Sequence, residues 1–175
     1  MSEVLDKIES RRSIRHYKDT AVSRELIDKI IRAGLYAASG KNRQDCIIIS
    51  VTNRQMRDHI MEMNRQVGGY DADFDPFYGA PAMLIVLAKK NEPNHVYDGS
   101  LVMGNLMLAA HDLGLGSCWI HRARQEFETP EGKKILADLG IEGEWEGIGH
   151  CALGYIDGDY PEPLPRKGNR VFYIE

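Results

Sequence analysis

The sequence is short of cysteine, has no excess of positive charge and contains no long apolar run, and each shortage removes a class of protein. Its three cysteines, Cys46, Cys118 and Cys151, are an odd set with no close pair. That spacing excludes a disulfide framework, a zinc ribbon and a thioredoxin-like motif, and the three read as reduced, buried thiols. Lys and Arg total 22 against 26 for Asp and Glu, a formal charge of -4. The basic excess that nucleic-acid binding requires is missing, so a small-molecule partner is expected instead of DNA or RNA. No apolar stretch approaches the roughly 20 residues of a membrane span. The start, Met1-Ser2-Glu3-Val4-Leu5-Asp6-Lys7, lacks a basic region followed by an apolar one, and a cytoplasmic location is expected.

Several familiar motifs are also missing. Gly114-Leu115-Gly116 has no third glycine at the offset of a dinucleotide fingerprint, and it follows a predicted helix where a Rossmann turn follows a strand. Gly40-Lys41 is followed by Asn42, where a phosphate-binding loop needs Ser or Thr for magnesium. The histidines form no zincin pattern, and no serine occupies a Gly-x-Ser-x-Gly elbow. No metal site is expected.

What is present fits one domain spanning residues 1–175, with 43% hydrophobic content to build its core. Val4, Leu5 and Ile8 predict a short first helix from Glu3 to about Arg11, with Ser2 as N-cap. Ser23 caps a second helix whose stripe is Leu26, Ile27, Ile30 and Ile31. Cys46–Val51 and Met83–Ala88 are β-rich runs without polar alternation, the pattern of strands covered on both faces. Between them the pattern predicts a helix from Arg54 to about Arg65, then a loop, Gly68 to Gly79, rich in turn formers and aromatics. That loop is equally compatible with a substrate lid and with edge packing.

Asp98 to Leu113 is apolar on more than one side and is expected to be the buried centre, close-packed at Gly104. Ser117–His121 reads as a strand. Thr129 and Pro130 start a helix through Leu139, and Ile148–Tyr155 is a last core strand. The proline-rich tail, about 161–175, is extended; it carries Arg166, Lys167 and Arg170 and then Val171–Ile174, which has strand composition.

One cluster suggests chemistry. Arg11-Arg12-Ser13-Ile14-Arg15 combines forked cations with a hydroxyl, suited to a phosphate and an attached polyol. Alone, the segment is equally compatible with a solvated basic turn. It gains meaning from Ala38-Ser39-Gly40-Lys41-Asn42-Arg43-Gln44 after the second helix, from Gly114-Leu115-Gly116-Ser117-Cys118-Trp119 after the central one, and from Arg166-Lys167 in the tail.

With these four motifs in order, the chain resembles the nitroreductase family. The resemblance implies an α+β, three-layer fold: a mixed central sheet flanked by helices, in an intertwined homodimer with exchanged C-terminal segments and an FMN in each interface cleft. It places Arg11, Arg12, Ser13 and Arg15 at the phosphate and ribityl groups, completed by Arg166 and Lys167. Ser39, Gly40 and Asn42 would reach the flavin of the other subunit, and Trp119, Ile120 and His121 would run beside the isoalloxazine ring, although Trp119 reads equally as core. Two departures, Ala38 and Asp45 where the family often has proline, concern the interface loop, and the chain is short for the family. The implied activity is a ping-pong transfer of hydride from NAD(P)H to nitroaromatic, quinone or related small acceptors. The implication names no protein acid or base: His121 reads more readily as structural. Arg12 is a candidate for raising the flavin potential. Ene reduction, dehalogenation or flavin breakdown on the same fold, a non-catalytic flavin-binding redox module, and an α/β domain without cofactor remain the alternatives.

Overall fold

The computed structural model describes residues 2–175. Four strands form one sheet in the order β1-β2-β4-β3, where β1 is Cys46–Val51, β2 Ala82–Lys89, β3 Gly116–Ile120 and β4 Trp145–Gly154. All three pairings are antiparallel. The mixed character expected of the sheet is confined to one parallel bridge, Ser13 with Ser117, on the outer edge of β3.

The helices cover both faces. α2 (Arg24–Leu35) and α4 (His95–Asp112) pack on one side, and α3 (Arg54–Gly68), α5 (Ala123–Glu128) and α6 (Pro130–Asp138) on the other; α1 (Glu3–Ser10) lies outside, against α4. β2 shows why its sequence did not alternate. Met83, Ile85 and Leu87 enter the core beneath α3, while Leu84, Val86 and Ala88 enter the core beneath α4. Both sides being dry, a polar residue on either would lose its water without gaining a partner.

Helix boundaries follow local chemistry. Ser23 Oγ accepts from the amide of Leu26, Asn53 Oδ1 accepts from Met56 at 2.9 Å, and Thr129 Oγ1 accepts from Gly132 at 3.0 Å with Pro130 in the first turn. Ser2 precedes α1 but makes no side-chain cap bond. α3 runs past Arg65 to Gly68 and ends where Gly69 takes φ 63°. α5 was not legible in the sequence. Its single turn and a half is too short to display a period, and it starts from Arg122, a non-glycine residue at φ 84°.

The central helix departs from expectation in an informative way. Val102, Met103, Leu106 and Ala110 are buried, yet Val96, Tyr97 and Leu101 are exposed, so a single chain covers only one of its apolar faces. The close approach occurs at Gly99, where a Cβ would lie 2.4 Å from Ile148; around Gly104 there is nothing within 4 Å. The segment Val171–Ile174 is exposed and forms no strand, because a strand exists only with a ladder partner and a single chain supplies none among the described residues.

Truncating Leu106, wholly buried between α4 and the sheet, is expected to cost about 2–5 kcal/mol as Leu106→Ala. Thr129→Ala, which removes one cap bond, is expected to cost about 1 kcal/mol. Urea unfolding at one fixed protein concentration checks the order of the two.

Candidate functional site

The first part of the site is built by the strand-like segment that follows α1. The Ile14 amide donates to the Ser117 carbonyl at 2.9 Å and the Lys18 amide to Tyr155 at 2.9 Å. Ile14 and Tyr17 are buried, and the Tyr17 hydroxyl donates to the Ile14 carbonyl at 2.7 Å. These inward anchors leave Arg11, Arg12 and Ser13 half-buried and Arg15 exposed along the edge of β3. One guanidinium nitrogen of Arg11, Nη1, is buried and has no hydrogen-bond partner among the described residues. A buried forked donor with an open position is a ready anion ligand.

Arg12 is braced instead. Its Nη1 donates to the carbonyls of Glu9 (2.7 Å) and Arg11 (2.8 Å), and its amide donates to the Tyr160 hydroxyl at 2.8 Å. Tyr160 in turn donates to the Ser10 carbonyl at 3.0 Å and stands 3.3 Å from His111 Nδ1, while Ser10 Oγ lies 2.8 Å from His111 Nε2. With Ser10 giving its one hydrogen to the nearer Nε2 and not to the Lys7 carbonyl at 3.5 Å, a neutral imidazole donates from Nδ1 to Tyr160. Burial, helped by Lys7 and Arg11, holds the His111 pKa below its ordinary value, which favours that neutral form.

The second part is a small cavity of about 120 Å³ where the end of β3 meets the aromatic loop. Cys118, Trp119, Ile120 and His121 line it together with Tyr70, Phe74 and Tyr78. The three aromatics touch in sequence, with centroids 4.8 and 6.1 Å apart. Arg15 lies 5.8 Å from the centre of the Tyr78 ring; Arg122 stacks 4.6 Å from that of Tyr70 and donates to its hydroxyl. The loop packs inward at Phe77, which is wholly buried core, while Pro76 and Tyr78 on either side line the cavity. Within β3, Cys118 and Ile120 enter the core beneath α3, so alternation turns the Trp119 side chain to the α4 side. There its indole lies over Gly149, where a Cβ would be 2.1 Å from Nε1.

The third part, Ser39–Gln44, stands against α4. The Gly40 amide meets both Asp98 carboxylate oxygens at 3.1 Å, Ser39 Oγ accepts from the Gln44 amide at 3.1 Å, and Asn42 Oδ1 accepts from Gln44 Nε2 at 3.1 Å. Lys41, Asn42 and Gln44 all have positive φ, a shape that Asp98 holds by capturing the amide at its start. Asp98 and Tyr160 are the supports that residue type alone did not reveal: one lies in a helix and the other in a polar tail, with no local pattern around either. Arg166 and Lys167 lie exposed on the tail. One chain thus brings the Ser13–Arg15 stretch to the 117–122 segment; among the described residues no hydrogen bond or ion pair links either to Ser39–Asn42 or to Arg166 and Lys167.

No cysteine here is primed for nucleophilic chemistry. Desolvation raises the thiol pKa of Cys118, pushes Cys46 up to about 11 and pushes Cys151 up to about 12. Among the described residues there is no group of three or more His, Cys, Asp or Glu placed to hold a metal, and no helix is long and apolar enough to cross a membrane.

The nitroreductase family model matches residues 8–155. An NADH dehydrogenase/NAD(P)H nitroreductase, so named, of Methanothermobacter thermautotrophicus is 38% identical over 142 residues, covering 74% of this chain and 71% of that protein. A protein of the same name from Archaeoglobus fulgidus is 34% identical over 162 residues, covering 89% and 86%. The crystal structure of a nitroreductase with bound FMN from Bacteroides fragilis is similar over 100% of both chains, with a TM-score of 0.92 and 26% identity.

The His111 contact carries a pH dependence. Its folded pKa lies below the ordinary 6.5, so as pH falls through that value the unfolded chain takes up the proton first and stability drops. Urea midpoints at about pH 7.5 and about pH 5.5 should fall less in His111→Asn than in the parent.

Proposed function

This chain belongs to the nitroreductase family, and on that premise we propose that it is an NAD(P)H-dependent FMN oxidoreductase. In this reading it works as a cytoplasmic homodimer and passes hydride by a ping-pong route from NAD(P)H to nitroaromatic, quinone or related small acceptors. The observation that carries the reading is the unpartnered, buried Arg11 Nη1 beside Ser13, on a strand edge that leads directly to the aromatic cavity.

The residues fit the cofactor. Arg11 offers a forked donor for the phosphate, Ser13 a hydroxyl for the polyol, and Arg15 a cation at the cavity mouth. FMN supplies the hydride-accepting and hydride-donating chemistry when bound. The chain's own contribution is to bind, orient and tune. In this reading the ring lies against the Trp119–His121 segment, and Tyr70, Phe74 and Tyr78, which line the same cavity, limit the access of water to it. Arg12 is tied back to carbonyls, which leaves Arg15 as the cation with freedom to stabilise negative charge developing on the ring. No side chain is assigned as acid or base.

A second copy of the chain accounts for what one copy leaves apart. The Ser39–Asn42 loop is fixed by hydrogen bonds to Asp98 and within itself, with none to Arg11–Arg15 among the described residues, and the tail carries Leu164, Val171, Phe172 and Ile174, all exposed. Val4, Leu5 and Ile8 of α1 and Leu101 of α4 are exposed as well. Apolar surface on this scale is covered in a stable protein, and exchange of tails between two copies covers it while delivering Arg166 and Lys167.

The visible spectrum of the purified protein is the first test. Flavin bands near about 450 nm that bleach on anaerobic addition of NADH or NADPH are expected, and a protein that stays colourless after FMN is added would sink the reading. Truncation after Pro165 is expected to abolish both FMN retention and dimerisation; a monomer that kept its flavin would contradict the shared site.

A further inference from the structure

Directly behind the cavity wall lie three polar side chains that the flavin reading does not use. Asn64 on α3, Glu126 on α5 and His150 on β4 are each wholly buried. Glu126 Oε1 accepts from Asn64 Nδ2, and the two Glu126 carboxylate oxygens lie 3.1 and 3.0 Å from His150 Nε2. Asn64 Nδ2 also donates to the main-chain carbonyl of His121 at 2.9 Å, so its two hydrogens have one acceptor each. Asn64 Oδ1 and His150 Nδ1 have no partner among the described residues.

A half-satisfied polar network in a dry core is less stable than apolar packing of the same volume, so stability does not explain its presence. Its geometry does. β3 is an edge strand, and the His121 carbonyl lies just past its last paired residue, Ile120, where no ladder donor is available. Arg122 follows at φ 84° and carries the guanidinium that stacks on Tyr70. The amide of Asn64 supplies the missing donor, Glu126 fixes the rotation of that amide by accepting its other hydrogen, and His150 fixes Glu126. Phe77 rests edge-on against the His150 ring, 5.1 Å between centroids, so the same imidazole backs the aromatic loop. α5 is seated closely enough for this because Gly147 allows it: a Cβ there would lie 2.3 Å from the Ala123 carbonyl.

We propose that Asn64, Glu126 and His150 are positioning residues that hold the Ile120–Arg122 turn with Arg122 in the left-handed region, so that the lining and cationic rim of the cavity are set before any ligand arrives. Only the identity of what the turn faces rests on the flavin reading.

The test uses the whole protein. The Glu126 amide donates to the Arg122 carbonyl at 3.1 Å, so its hydrogen exchange reports whether the turn is closed, with or without cofactor. In the parent protein stripped of FMN, this amide should exchange only by global unfolding, and exchange as fast as that of Gly79 in the aromatic loop would overturn the proposal. Asn64→Leu, near in shape but without donors, should speed that exchange about tenfold beyond a Leu136→Ala control, which truncates buried packing in the same layer. Exchange no faster than in the control would reduce the network to ordinary packing and overturn the assignment. With FMN bound, Asn64→Leu should raise KM for NAD(P)H about tenfold with kcat within about twofold, whereas Glu126→Gln in the parent background, which keeps an acceptor for the Asn64 amide, should leave KM within about twofold of the parent. A colourless protein would end the flavin reading while leaving the exchange result to stand or fall alone.

Discussion

The main-chain bond from Ile14 to Ser117 is the contact on which the rest of the site depends. β3 is an edge strand, and an edge presents a row of groups that must be paired, covered or solvated. Here the chain's own N-terminal segment meets that edge, held by Ile14 and Tyr17 plunging into the core. Because Ile14 turns inward between Ser13 and Arg15, the pairing that protects the edge also holds Arg11, Ser13 and Arg15 beside it. Protection of the sheet and assembly of an anion site are therefore one act of folding, and a change that loosened Ile14 would weaken both.

Around that edge the protein divides its polar residues by function. Outside the sheet, cations face open positions or aromatic rings. Beneath it, Asn64, Glu126 and His150 are turned on one another and on a single carbonyl. Asp98 plays a comparable part on the other face, where its carboxylate fixes the amide that begins the Ser39–Gln44 turn. In each case a short segment of unusual backbone is held by a side chain from a helix far away in sequence, so rigidity is imported from regular structure to the places that lack it.

This explains what could and could not be read from the sequence. The doubly covered strands were legible because β2 shows no polar alternation, and helix starts were legible at Ser23 and Thr129 because capping is local chemistry. The basic cluster and the Ser-Gly-Lys-Asn turn were legible from residue type. α5 was not, since it is shorter than the period that would betray it and begins at an arginine in a conformation that glycine usually marks. The buried network was hidden for another reason: Asn64 sits in a helix rich in polar residues, and nothing nearby distinguishes it from the exposed Gln66. Gly99 and Gly104 show the same limit, because composition told that α4 needs a close approach but only tertiary packing decides which glycine supplies it.

Phe77 divides the segment between α3 and β2 into two parts with different freedom. From Phe77 onward the chain is tied to the core, and Asp75 secures the approach by accepting from the amides of Phe77 and Gly79. Ahead of it, residues 71–73 are exposed and form no regular element. Length added there would change the reach of the aromatic wall without disturbing the sheet. The architecture thus separates the gene's room for variation from its obligations: a lineage could reshape what the cavity admits by inserting residues before Phe77, while the machinery behind the wall was inherited unchanged.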